Sequence, residues 1–117
     1  MDNFMSVLKS VCEQKGKTSD EIFKYAKINS SNKNKILSGY YKNPNYRISR
    51  EHAIALGLAL KLNIEEMSKF LAEAGYALSR CHEFDRIVSN HIINQIYDIF
   101  TVEIALHEKG YRPLTTR

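Results

Sequence analysis

Helix-ending and helix-starting residues recur along the whole chain, and this punctuation constrains the fold more than any other feature. Gly16, Gly39, Gly75 and Gly110 each close a helix-like stretch, at the position where the backbone turns left-handed and glycine does so cheaply. Thr18-x-x-Glu21 and Asn63-x-x-Glu66 fit capping boxes, in which the first side chain accepts from the N3 amide and the glutamate reaches back. Ser49 and Asp98 stand where they cap two further helices. No stretch sustains a period of two beside a turn dipeptide, so strands have no support. The spacing predicts seven helices, near Asp2–Lys15, Ser19–Lys27, Ser30–Tyr40, Arg50–Leu62, Ile64–Ala74, Arg80–Asn94 and Ile99–Lys109. The expected fold is all-α, and 117 residues accommodate one domain, or a small one with an appendage.

The fourth segment (Ala53, Ile54, Ala55, Leu56, Leu58, Ala59, Leu60) is apolar nearly all round, which predicts the central core helix. Gly57 inside it costs about 1 kcal/mol relative to alanine, so a neighbouring helix is expected to approach closely there. In the fifth, Ile64, Met67, Leu71 and Ala74 are spaced as one buried stripe. Tyr40-Tyr41-Lys42-Asn43-Pro44-Asn45-Tyr46 reads as a loop, because Pro44 keeps either flanking helix from running through. Its three tyrosines have two readings: hydroxyls that grip a sugar–phosphate backbone, or rings packed over the edge of the core.

Charge is unevenly distributed. Residues 1–47 carry nine lysines and arginines against four acidic residues, whereas residues 48–117 carry eight against nine. A basic surplus confined to one segment attracts a polyanion at that face, or else forms a solvated lysine-rich surface. The longest apolar run, Ala53–Leu60, is far short of the roughly 20 residues that span a bilayer. The Met-Asp-Asn start lacks the basic-then-apolar order of a signal peptide. Cys12 and Cys81, without a C-x-x-C, read as free thiols of a reducing compartment. A soluble cytoplasmic protein is the expectation.

The second and third predicted helices are short, and Lys27-Ile28-Asn29 joins them, a linker of helix-turn-helix length. Thr18-Ser19-Asp20-Glu21-Ile22-Phe23-Lys24-Tyr25-Ala26-Lys27-Ile28-Asn29-Ser30-Ser31, followed by Lys35-Ile36-Leu37-Ser38-Gly39 and Pro44, resembles the phage-repressor-like (Xre/Cro-type) helix-turn-helix family. The likeness spans about Met5–Leu78, and Leu58–Leu62, Glu65-Glu66 and Phe70–Leu78 resemble the last two helices of a common bacterial branch. It implies a five-helix repressor-like bundle over residues 1–78 and a C-terminal helical extension over 79–117. It also implies a transcriptional regulator that reads double-stranded DNA through its third helix.

Position by position, the resemblance puts Ser19 where helix two reads a base or fixes a phosphate, and Asn29, Ser30, Ser31 and Asn32 against the major groove. Lys35 takes the outward base-reading position, from which it can donate to guanine O6 or N7. Ser38 and Lys42 match phosphate-contacting positions. Three residues differ from the family pattern. Phe23 replaces the small residue between helices two and three. Lys27 replaces the turn glycine, and a non-glycine residue with positive φ is uncommon. Lys33 occupies an inward apolar position, where its stem can pack while the ammonium reaches water.

No catalytic or cofactor motif is present, so neither an enzyme nor a bound cofactor is expected. Cys81-His82, His91 and His107 lack zinc-ligand spacing; His91, among Val88, Ile92 and Ile96, reads as a hydrogen-bonded core imidazole. Glu65-Glu66 and Asp85 read as helix-start carboxylates. Phe84, Ile87, Val88, Ile92, Ile96, Ile99, Phe100, Val102, Ala105 and Leu106 exceed what a small bundle buries, and surplus apolar surface becomes an interface. Three readings stand for that pair: a homodimer contact, the economical one for two-fold DNA sites; a protein partner, with the chain as an antitoxin-like interaction module that binds DNA weakly or not at all; or a simple cover over the bundle of a monomer.

Overall fold

A computed structural model describes residues 3–115. Among them are seven helices and no strand: α1 (Phe4–Gln14), α2 (Ser19–Tyr25), α3 (Ser30–Lys42), α4 (Arg50–Ala59), α5 (Ile64–Glu73), α6 (Glu83–Ile93) and α7 (Ile99–Glu108). The expected start of the first helix, Asp2, lies outside the described residues. No helix is long and apolar enough to cross a membrane among the described residues. Cys12 is buried and Cys81 exposed, both as free thiols.

The starts follow the sequence. Both capping boxes form, the Ser49 hydroxyl accepts from the His52 amide at 3.2 Å, and Asp98 accepts from the Thr101 amide at 3.0 Å. Several ends differ, for one physical reason. α1, α2, α4, α5, α6 and α7 each finish with paired reverse hydrogen bonds around a left-handed residue. That residue is glycine at Gly16, Gly75 and Gly110, but Lys27, Lys61 and Gln95 elsewhere. The fourth and sixth helices therefore stop short of Leu62 and Asn94, and Leu62 turns back into the core. Arg80 lies outside α6, in a turn where the Cys81 amide donates to the Ser79 hydroxyl. Gly39 closes no helix. It lies inside α3, where the Tyr46 ring sits so close that a Cβ would fall 2.6 Å from it.

α4 is the central helix. Ala53 to Leu58 are buried without a break, and the helix packs against α2, α5 and α7. A Cβ on Gly57 would lie 2.3 Å from the Met67 sulfur of α5, which is the close approach that the glycine permits. α1 packs on α2 and α5, and α6 joins α5 to α7. Val88, Ile92, Ile99, Val102 and Leu106 belong to the same buried cluster as Leu8, Ile22 and Leu56. Asp85, expected as a helix-start carboxylate only, is buried; it pairs with Arg50 of α4 and accepts from the Ser79 amide at 2.7 Å. That bridge fastens the start of α6 to the start of α4.

Candidate nucleic-acid interface

α3 is the longest helix and the least embedded. Only Ile36 and Tyr40 along its 13 residues are buried. The Tyr40 hydroxyl accepts from the buried Ile48 amide at 3.0 Å, and burial raises its pKa despite that bond. The Tyr40 ring meets Phe4 on one side and Tyr46, edge-on at 4.9 Å, on the other. Of the three tyrosines read as loop residues, two therefore pack on the core. Tyr41 is 91% exposed and belongs to α3, which continues to Lys42 because Asn43, and not Tyr40, ends it.

At about 100° per residue, Ser31, Lys35, Ser38 and Lys42 fall on one stripe, opposite Ile36 and Tyr40. All four are exposed. Among the described residues neither Lys35 nor Lys42 has an ion pair. Ser30, Asn34 and Tyr41 flank the stripe on one side, all exposed, and half-buried Asn32 lies on the other. Asn29 is the N-cap, its side-chain oxygen accepting from the Asn32 amide at 2.8 Å. Ser19 opens α2, half-buried. The stripe thus gathers four of the eight expected residues and Ser30 and Asn32 border it, while Asn29 is committed to capping. Asn34 escaped the sequence reading, and Tyr41, read there as a loop residue that grips a sugar–phosphate backbone or packs on the core, flanks the stripe from within α3. The periodicity of α3 carries their signal once the helix is continued past Tyr40.

The mount of α3 explains the three unusual residues. Lys27 has φ +61°, so the left-handed turn forms without the family's glycine. Phe23 is a core residue. Lys33 reaches out between the two helices, its ammonium paired with Asp20 and 5.9 Å from the centre of the Phe23 ring. From Ile22 to Arg50 there is no acidic residue, while Lys24, Lys27, Lys33, Lys35, Lys42, Arg47 and Arg50 are all basic. Arg47 is structural: it donates to the Ala74 carbonyl at 3.2 Å and to Gly75, and lies over the Tyr76 ring.

The remaining titratable groups serve the fold. Hydrogen bonds from the Asn63 amide and then Lys15 hold Glu66 below the usual carboxylate range, and Thr18 does the same for Glu21. Burial lowers the pKa of His52. The half-buried His91 ring bonds the Ile87 carbonyl at 2.7 Å. Among the described residues no three His, Cys, Asp or Glu side chains are grouped to hold a metal. No protein-family model, curated protein or solved structure matches the chain, so the residues themselves carry the functional argument.

Proposed function

We propose that the protein is a sequence-specific, double-stranded-DNA-binding transcriptional regulator, with α1–α5 as a repressor-like bundle and α3 in the major groove. One observation carries the reading: α3 is anchored by two side chains and turns a polar, basic and acid-free stripe away from them. A helix that enters the major groove needs that clearance. Ser31 and Lys35 contact base edges, and Ser38 and Lys42 fix the sugar–phosphate register. Selection on a pool of random duplexes at moderate salt should enrich one sequence, confirmed by gel shift. Absence of any duplex preferred over bulk DNA would sink the reading.

A second reading, a repressor-like scaffold used as a protein-interaction module, draws on the exposed apolar side chains of α6 and α7, among them Ile93 and Ile104. The salt slope of DNA affinity separates the two, since each neutralised phosphate contributes about −0.9. A slope near zero favours the interaction module.

A further inference from the structure

The C-terminal ends of α1, α2, α4 and α6 meet the start of α7 around an open cleft of about 890 Å³. Lys15, Lys17, Lys27 and Lys61 line it against one carboxylate, Asp98, whose oxygens already accept from the Thr101 amide and hydroxyl. Lys15 is balanced by Glu66 at 3.1 Å. Among the described residues no carboxylate pairs with Lys17, Lys27 or Lys61. Converging helix ends normally bring negative dipoles. Here the carbonyls of Cys12, Phe23, Gly57 and His91 already accept from the amides of Lys17, Ile28, Leu62 and Ile96, which leaves the ammonium groups as the dominant charges.

A second observation is independent of charge. Lys27 (φ +61°), Lys61 (φ +55°) and Gln95 (φ +59°) are the non-glycine left-handed residues among those described, and all three line this cleft. Gly16 takes the same conformation at the end of α1, between Lys15 and Lys17, and Gly75 and Gly110 take it elsewhere, all three without the steric cost that a Cβ brings. Side chains kept against the local backbone preference, all on one cleft, mark a place where those side chains are used.

We propose that the cleft binds a phosphorylated small anion of nucleotide size, its phosphates on Lys17, Lys27 and Lys61. Its ring lies beside Tyr25, an exposed wall of the cleft that Lys17 already approaches to 5.9 Å. The site shares no residue with the α3 stripe and stands independently of the DNA reading. Isothermal titration of the full chain with ATP, and separately with inorganic triphosphate, tests it. ATP should bind in the micromolar range and triphosphate more weakly. Lys27→Gly and Lys61→Gly should each weaken ATP by about tenfold, which is roughly 1.4 kcal/mol, while the melting temperature stays level or rises because the left-handed strain is relieved. Lys61→Gln, which removes the charge alone, should weaken ATP similarly. Tyr25→Ala should weaken ATP and spare triphosphate, and Lys35→Ala should change neither. No heat from either probe at millimolar concentration overturns the proposal, as does ATP binding that survives both lysine substitutions. Equal affinity for the two probes overturns the nucleotide assignment.

Discussion

Lys35 and Lys42 stand one above the other on the exposed stripe of α3, seven residues apart, yet their expected roles differ. If Lys35 donates to guanine, Lys35→Ala costs roughly 1–3 kcal/mol of affinity and relaxes preference at one or two base positions. Lys42→Ala should weaken all duplexes alike and reduce the salt slope by about one unit. Fluorescence anisotropy over a salt series reads both quantities, and identical effects would contradict the assignment. His52 provides a test of the fold rather than of the site. Burial holds its imidazole below the ordinary value, so the unfolded chain takes up the proton first as pH falls. Its contribution to stability is complete above about pH 6.5, the unfolded value, and is lost as pH drops toward the folded pKa. Urea titrations of His52→Gln should show a flatter pH dependence below about pH 6.5 than the parent chain; an unchanged profile would refute it. Lys33 was legible because a lysine at an inward position has few solutions besides packing its stem and turning its ammonium outward, whereas nothing in the residue type of Lys27 announced a left-handed turn. Asp85 was not legible. Its partner Arg50 is 35 residues away, and helix-start position alone does not reveal a buried bridge.

At the scale of elements, starts and stops were unequally legible. A cap announces itself in residue type and spacing, as Thr18 with Glu21 and Asn63 with Glu66 do. A stop made by Lys61 or Gln95 carries no such mark, because the left-handed turn is imposed by Leu62 and Ile96 folding back with their amides on Gly57 and His91. Gly39 misled in the opposite sense: its missing Cβ makes room for the Tyr46 ring, not for a turn. α3 depends on two side chains, and its stability should reflect that. Ile36→Ala removes one of the two anchors and should cost about 2–5 kcal/mol. Tyr40→Phe leaves the buried Ile48 amide without its hydroxyl acceptor, for about 1–3 kcal/mol. Chemical denaturation measures both. If the stripe is the DNA-reading surface, Ile36→Ala should also lower duplex affinity with the salt slope unchanged, since no phosphate contact is removed. A lowered slope would mean that α3 is not merely displaced.

For the whole molecule, the decisive feature is what α6 and α7 leave uncovered. Val88, Ile92, Ile99, Val102 and Leu106 complete the common core, so the pair is no loose appendage. Phe84, Ile87 and Ala105 are partly covered, but Ile93 (63% exposed), Ile96, Phe100 (45%) and Ile104 (60%) keep exposed surface, with the Lys27 ammonium 5.3 Å from the centre of the Phe100 ring. Phe100 and Ile104 lie four residues apart on α7, Ile93 ends α6, and Ile96 lies in the connection between them, so the surplus expected from the sequence is exposed at the end of α6 and along α7. A two-fold axis through such a stripe lets one surface bury its own copy. The same axis sets two α3 helices to read successive major grooves if they lie about 34 Å apart. The protein is therefore expected to form a homodimer through this stripe, and light scattering at tens of micromolar should give twice the chain mass. Ile104→Lys and Ile93→Glu replace exposed side chains and should change folding stability by only about 0.5 kcal/mol or less, yet each should yield a monomer. Its affinity for a duplex with two half-sites should then fall to that for one. A parent chain that is monomeric at this concentration, or a dimer indifferent to both substitutions, would remove the two-fold arrangement and leave the stripe to a different protein.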